Sequence, residues 1–138
     1  MGDSPAQPPF PSSDAAQAAV KKLRILIVED HAPTRLAMSR LIRQAGAEVH
    51  TARDGEEGLG FLLTQRFDVL LTDLRMPVMD GFELLHHAMK LPDTHRPSRI
   101  IAISGEYEAG ALNGQSVSFL AKPFNLNALL DMLGGKPN

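Results

Sequence analysis

The sequence predicts a doubly wound α/β domain, in which helices cover both faces of a five-stranded, mostly parallel sheet. Short runs rich in Ile, Val and Leu recur along the chain, and segments with the 3.6-residue apolar spacing of a helix follow most of them. Strands that alternate with helices form parallel sheets of this kind. The chain has 138 residues, of which 43% are hydrophobic, so it is long enough for one domain with a core.

The first strand and the first helix show the pattern most clearly. LRILIVE at 23–29 is an apolar run typical of a strand buried on both faces. A helix is predicted over 33–45, with Pro33 in its first turn and Gly46 just past its end. Four of its residues share one apolar face: Met38, Leu41, Ile42 and Ala45.

Four more strands and three more helices follow. The strands are predicted at 48–52, 67–73, 99–104 and 116–122. Asp80 and Glu83 have the spacing of a capping box and open a helix. Apolar residues mark the helices: Leu59, Leu62 and Leu63 in the second, Phe82, Leu85 and Met89 in the third, and Leu126, Leu129, Leu130 and Leu133 in the last.

The two ends and one connection depart from this regular alternation. Residues 1–21 are predicted to be a flexible tail, because five of the first eleven are Pro or Gly, although a linker from an upstream domain is the alternative. The domain is placed at 22–134, with a frayed end at 135–138. The segment 105–115 contains three glycines, each costing about 1 kcal/mol inside a helix. The helix between the fourth and fifth strands is therefore expected to be short or disordered.

Composition excludes several classes of function. There is no cysteine, which excludes a disulfide framework, a thiolate metal site and a cysteine nucleophile. The formal net charge is −2 and the basic residues are scattered, so direct binding to nucleic acid is not expected. No apolar run approaches the roughly 18 residues of a membrane span, and no signal peptide is evident. We expect a cytoplasmic protein.

Polar residues end four of the predicted strands. Glu29 and Asp30 end the first strand, Asp73 the third, Ser104 the fourth and Lys122 the fifth. The carboxyl ends of parallel strands lie at one edge of a sheet, where ligands bind in this class of fold. Three neighbouring carboxylates repel one another, and a cation relieves that repulsion. Oxygen ligands without His or Cys favour Mg²⁺, or Mn²⁺, over Zn²⁺.

This set of residues contains the groups that phosphoryl transfer to an aspartate requires. A carboxylate can act as a nucleophile and form an acyl phosphate. A divalent cation, the Lys122 ammonium and the Ser104 hydroxyl could stabilise charge on the transferring oxygens.

Four motifs resemble those of the receiver domains of two-component response regulators. They are ILIVED at 25–30, LLTDLRMPVMDG at 70–81, IIAIS at 100–104 and FLAKPF at 119–124. They occur in the family's order, each at a strand end, and the resemblance covers roughly residues 23–133. It implies a flavodoxin-like receiver fold with the strand order 2-1-3-4-5.

The resemblance implies a role for each matching residue. Asp73 corresponds to the phosphoacceptor. The metal-binding groups are the carboxylates of Asp30 and Asp73 and the backbone carbonyl of Arg75, while Glu29 stands where an acidic residue usually reaches the metal through water. Asp80 is interpreted as a helix cap and not as a ligand.

Three further positions match residues that bind the phosphoryl group or respond to it. Lys122 corresponds to the lysine that pairs with the acyl phosphate, and it precedes Pro123 in a peptide bond that is usually cis in the family. Ser104 matches the hydroxyl that moves to the phosphoryl oxygen on activation. Phe119 stands where the family has the rotating aromatic of the switch, although a Phe in a strand can also be a simple core residue.

The resemblance implies a signalling phosphoacceptor that catalyses only its own phosphorylation and dephosphorylation. Its expected partners are a histidine kinase or a histidine phosphotransfer protein and a downstream protein. Two alternatives stay open: a receiver module of a hybrid histidine kinase, and a scaffold that acts without phosphorylation. An Asp-dependent phosphohydrolase is disfavoured, because Arg75 stands where such enzymes carry a general acid. We expect a monomer, with a dimer as the alternative.

Overall fold

The computed structural model describes residues 20–76, 78–104 and 117–134. Its strands are β1 (Arg24–Val28), β2 (Glu48–Ala52), β3 (Val69–Asp73), β4 (Arg99–Ser104) and β5 (Ser118–Ala121). Its helices are α1 (Ala32–Gln44), α2 (Gly55–Thr64), α3 (Gly81–Met89) and α4 (Leu126–Gly134). The helix predicted to be short or disordered between β4 and β5 falls on 105–116, outside the described residues.

The five strands form one parallel sheet in the order β2-β1-β3-β4-β5, which confirms the predicted fold. Every neighbouring pair is parallel, so the carboxyl ends of all five strands lie at the same edge. The predicted bounds of β2 and β4 match the structure, whereas β1, β3 and β5 are each shorter than the apolar runs that predicted them.

The sheet separates two apolar clusters. Alternate residues of β1 point to opposite faces: Ile25 and Ile27 pack with α1 and α4, while Leu26 and Val28 pack with α2 and α3. Burial on both faces explains why β1 and β3 read as continuous apolar runs. Val20, which lies within the predicted tail, is fully buried in the first cluster, so packing extends two residues beyond the predicted start of the domain.

Local sequence signals account for the helix ends. Pro33 lies in the first turn of α1, and Gly46 follows its end with a φ of 103°, as predicted. The side chain of Asp80 accepts a hydrogen bond from the Glu83 N–H at 2.9 Å, which confirms Asp80 as the cap of α3. One expectation needs refinement: Leu63 lies in α2 but is 57% exposed, because the buried face of α2 is formed by Gly55, Gly58 and Leu62.

Candidate functional site

Strand register brings the predicted polar residues to one edge of the sheet. Asp73 is the last residue of β3 and Ser104 is the last residue of β4. Glu29 and Asp30 follow β1 directly, and Lys122 follows β5. The pairs Val28–Thr72 and Ser104–Ala121 fix the alignment of these strand ends. The predicted residues therefore surround one point at the carboxyl edge.

Three carboxylates meet at this point. Oxygen atoms of Glu29, Asp30 and Asp73 all lie within 4.8 Å of one another. Glu29 is 1% exposed and Asp73 is 2% exposed, whereas Asp30 is exposed. Two buried carboxylates at this separation repel each other strongly, because little water screens them.

The Glu29 carboxylate is only half satisfied within the protein. Its Oε2 atom accepts a hydrogen bond from the His31 N–H at 3.1 Å, while Oε1 is buried and has no hydrogen-bond partner in the described structure. Burial raises the pKa of Glu29 to about 7, and the nearby charge of Asp73 acts in the same direction. The His31 N–H opposes this rise but does not cancel it.

Lys122 is the cation that contacts Asp73. Its Nζ donates a hydrogen bond to Asp73 Oδ2 at 2.7 Å. Partial burial by itself lowers the pKa of Lys122, but the hydrogen bond and the charge of Asp73 outweigh it, so the pKa lies above its ordinary value. Lys122 therefore stays charged at neutral pH and holds one face of the Asp73 carboxylate.

The other oxygen of Asp73 is held by the backbone. The Arg75 N–H donates to Asp73 Oδ1 at 3.1 Å, and the Arg75 side chain itself is exposed. The segment that follows β3, beginning at Leu74 and Arg75, therefore leaves the strand in a conformation that fixes the Asp73 carboxylate. The backbone carbonyl of Arg75, a predicted metal ligand, therefore lies only two residues along the chain from Asp73, the predicted phosphoacceptor.

Ser104 and Phe119 lie close to the site but in different environments. Ser104 is buried, and its carbonyl accepts a hydrogen bond from the Lys122 N–H at 2.8 Å. Phe119 is half-buried in β5 and packs against the cluster that contains α2 and α3. The Lys122–Pro123 peptide bond is cis, as the resemblance implies. The switch roles of Ser104 and Phe119 stay predictions.

Sequence reasoning did not identify two residues that shape the site. A Cβ atom on Gly81 would lie 2.1 Å from the Asp73 carbonyl oxygen, so only glycine allows α3 to start against the end of β3. Arg35 donates from Nη1 to the carbonyl oxygen of Glu29 at 2.8 Å. The glycine following a helix cap was a visible signal for the first, whereas α1 spacing alone gave none for the second.

The residues present fit a hard divalent cation. All candidate donors are oxygens, which Mg²⁺ prefers over nitrogen or sulfur ligands. The buried Oε1 of Glu29, which has no hydrogen-bond partner in the described structure, belongs to this cluster of three carboxylates. This arrangement is expected where a cation supplies the missing interaction. Three acidic groups lie near a single ammonium group, that of Lys122, so the described site has an excess of negative charge that a cation would neutralise.

A groove runs beside the site, between α1 and the start of α4. Its lining combines site residues with an apolar wall: Glu29, His31, Pro33, Thr34, Ala37, Lys122, Pro123, Phe124 and Leu126. Glu29 and Lys122 therefore line the same groove as the apolar residues, and a protein segment could cover this surface.

Comparison with known families identifies the chain's relatives. The family model described as response regulator receiver domain matches residues 25–134. Sensor protein EvgS of Escherichia coli K12 is 36% identical over 114 residues, which are 79% of this chain and 9% of that protein. Response regulator receiver protein Anae109_2439 of Anaeromyxobacter is 33% identical over 110 residues, 79% of this chain and 46% of that protein. The chain thus spans less than half the length of these curated relatives.

Solved structures give the same result. The chemotaxis response regulator CheY4 of Vibrio cholerae aligns with a TM-score of 0.70 and 34% identity, over 80% of this chain and 94% of that one. The receiver domain of the hybrid histidine kinase CckA aligns with a TM-score of 0.65 and 36% identity, over the same shares. Among the helices in the described part of the chain, none has both the length and the apolar character needed to cross a membrane.

Proposed function

We propose that this chain, which belongs to the family of response regulator receiver domains, accepts a phosphoryl group on Asp73 from a histidine of a partner protein. As a receiver domain of two-component signalling it is homologous to the receiver modules of hybrid histidine kinases. The observation that carries the proposal is the environment of Asp73. This carboxylate is buried, contacts the Lys122 ammonium and stands among oxygens suited to a divalent cation.

The transfer exchanges one bond to phosphorus for another. An oxygen of the Asp73 carboxylate attacks the phosphorus of the phosphohistidine, a phosphorus–oxygen bond forms, and the phosphorus–nitrogen bond breaks. The departing imidazole keeps that electron pair, and Asp73 becomes an acyl phosphate. Lys122 stands 2.7 Å from Asp73 Oδ2 and is positioned to follow the negative charge onto the phosphoryl oxygens.

Asp30, Asp73 and the backbone carbonyl of Arg75 would hold the cation, with Glu29 adding its buried charge beside them. When bound, Mg²⁺ or Mn²⁺ would neutralise charge that develops on the transferring oxygens. The chain's own contribution is to hold both oxygens of the Asp73 carboxylate in place. The Lys122 ammonium and the Arg75 N–H perform that task from two directions.

The groove beside the site supports the choice of partner. A segment carrying the phosphohistidine must approach Asp73 closely, and the groove combines an apolar wall with the site residues Lys122 and Glu29. We assign it to the docking of a histidine kinase or a histidine phosphotransfer protein. After phosphorylation, movement of Ser104 and Phe119 would carry the signal to a downstream protein.

The similarity of this chain to EvgS and to the receiver domain of CckA also favours a second setting, in which the chain is the receiver module of a hybrid kinase.

Incubation with acetyl phosphate and Mg²⁺ tests the proposal without a cognate partner. We expect the intact mass of the protein to rise by one phosphoryl group, and we expect Asp73→Asn or EDTA to prevent this. Asp80→Asn is the matched control: it removes a carboxylate from the same loop, and Asn caps helices as well as Asp does.

An adduct that persists in Asp73→Asn would place the phosphoryl group elsewhere and contradict the proposal. A wild-type protein that binds Mg²⁺ but takes no phosphoryl group from acetyl phosphate or from any histidine donor would favour the scaffold alternative.

A further inference from the structure

We propose that Gly55, the first residue of α2, is a positioning residue for the metal site at Asp73, although it lies on a different element. The inference rests on the proposed function, because it concerns the Arg75 carbonyl as a ligand of the cation. Gly55 acts through the β3–α3 loop, which connects the end of β3 to the start of α3 and of which the structure describes residues 74–76 and 78–80.

The base of this loop is closed by Gly81. The Gly81 N–H donates to the Leu74 carbonyl at 3.1 Å, and the missing side chain lets Gly81 lie against the backbone of Asp73 and Leu74. The loop thus leaves and rejoins the fold at one place. Between these points the loop carries the Arg75 carbonyl. The Gly81 contact does not hold the part of the loop around Met79, so another contact must fix it.

Gly55 fixes that part of the loop. Its N–H donates to the Met79 carbonyl at 3.0 Å. A Cβ atom on Gly55 would lie 2.3 Å from the same carbonyl oxygen and 2.9 Å from Met79 Cγ. The contact is therefore backbone against backbone, and no side chain at position 55 can be accommodated without moving one of the two segments.

The loop would move and the helix would not. Two turns of α2 are packed on the sheet: a Cβ on Gly58 would meet Val28 Cγ2 at 2.8 Å, and Leu62 is fully buried. The β3–α3 loop is exposed at Arg75 and Val78, and Val78 already has a φ of 68°, which is unfavourable for a β-branched residue. A side chain at position 55 would push Met79 outward and shift the Arg75 carbonyl with it.

The same helix provides a control. Apart from the neighbouring backbone of its own helix, no atom in the described part of the chain lies within 4 Å of the position that a Cβ on Gly60 would take. Gly55→Ala and Gly60→Ala make the same chemical change on one helix, and only the first meets the loop. Asp54→Ala is a second control, because it removes the cap that accepts from the Glu57 N–H at 2.8 Å and weakens the same helix end without a steric intrusion.

Titration with Mg²⁺ alone, followed by NMR of backbone amides, tests the proposal. We expect Gly55→Ala to weaken Mg²⁺ binding about 10-fold or more, the range seen when residues that orient metal ligands are changed. Gly60→Ala and Asp54→Ala should bind as the wild type does. Equal affinity in Gly55→Ala and Gly60→Ala would overturn the proposal, as would an equal loss in Asp54→Ala.

The wild-type protein provides a second measurement that does not depend on the variant folding. The Gly55 amide resonance should move as Mg²⁺ saturates the site, while the Gly60 amide stays in place. A Gly55 amide that ignores Mg²⁺ would contradict the inference while leaving the proposed function intact. A wild-type protein in which no amide responds to Mg²⁺ would overturn both.

Discussion

The two edges of the sheet treat charge in opposite ways. At the amino edge, Arg24 donates to Gln65 at 2.8 Å, to Glu48 at 3.1 Å and to the Arg66 carbonyl, and its guanidinium lies 5.0 Å from the centre of the Phe67 ring. At the carboxyl edge, Lys122 pairs with the buried Asp73 carboxylate, whereas Oε1 of the second buried carboxylate, Glu29, has no hydrogen-bond partner in the described structure. The Arg24 side chain at the amino edge has several polar partners, whereas the carboxyl edge leaves one buried carboxylate oxygen unpaired, where we propose that a cation binds.

A second arginine at the amino edge also donates its hydrogen bonds to partners within the fold. Arg99, at the start of β4, donates to the carbonyls of Met132 and Leu133 at the end of α4. Such contacts satisfy carbonyls that a helix end leaves unpaired and so stabilise the fold. We interpret the charges at the amino edge as stabilising the fold, and we propose that the charges at the carboxyl edge serve phosphoryl transfer. Substitutions should separate these two effects.

The largest effect is expected for Lys122→Ala. This substitution removes the ammonium group that contacts Asp73 and that would stabilise negative charge during phosphoryl transfer. Phosphorylation by acetyl phosphate should therefore slow about 100-fold. The rate is measured by intact mass at saturating Mg²⁺. Lys90→Ala removes an exposed lysine after α3 and serves as the control. A Lys122→Ala protein that is phosphorylated at the control rate would break the comparison.

Arg24→Ala should have the opposite signature. It removes two side-chain hydrogen bonds, one bond to a carbonyl and the contact with Phe67, so unfolding in urea should require about 2 kcal/mol less free energy. Phosphorylation of the folded fraction should not change. Arg40→Ala, on the exposed side of α1, should leave both quantities unchanged. If Arg24→Ala impaired phosphorylation as much as Lys122→Ala, the two edges would not be separable.

Val78→Asn should produce the smallest effect and should increase stability. Val78 is 77% exposed with a φ of 68°, so it gains little from burial and carries backbone strain that Asn tolerates better. We expect the free energy of unfolding to rise by about 1 kcal/mol. Val78→Thr keeps the β-branch while adding polarity and should give no gain. Equal gains in both variants would attribute the effect to polarity alone.

Much of the fold and of the site could be predicted from the sequence, because both depend on patterns within single elements. Apolar runs located the strands, and the polar residues that end these runs gave Glu29, Asp73, Ser104 and Lys122 as neighbours at one edge. Parallel pairing then made that neighbourhood unavoidable. The register of β4 on β3, which sets Asp73 opposite Ile103, needed the structure.

The rest could not be predicted, because it depends on contacts between elements distant in sequence. Helical periodicity gave no sign that Gly55 approaches Met79, or that Gly81 must lie against Asp73. It marked Leu63 as it marked Leu62, although only Leu62 faces the sheet. The composition of the first 20 residues also did not show that Val20 enters the core.

The buried carboxylate of Glu29 should make the stability of the protein depend on pH. The pKa of Glu29 in the folded protein is raised to about 7 from an ordinary value of 4.5, so the folded state binds this proton more tightly than the unfolded state. The stabilising contribution is fully present below pH 4.5 and is lost as the pH rises through 7. Without metal, the protein should gain on the order of 2 kcal/mol of stability between pH 8 and pH 5.

The most direct measurement is the free energy of unfolding of wild type and Glu29→Gln at pH 8, with and without Mg²⁺, with Glu56→Gln as an exposed control. Without Mg²⁺ the variant should be more stable than wild type, because it removes a buried charge that repels Asp73. Saturating Mg²⁺ should stabilise wild type more than the variant. A variant that is less stable than wild type without Mg²⁺, or that gains as much from Mg²⁺, would show that the carboxyl edge is not an incomplete site awaiting a cation.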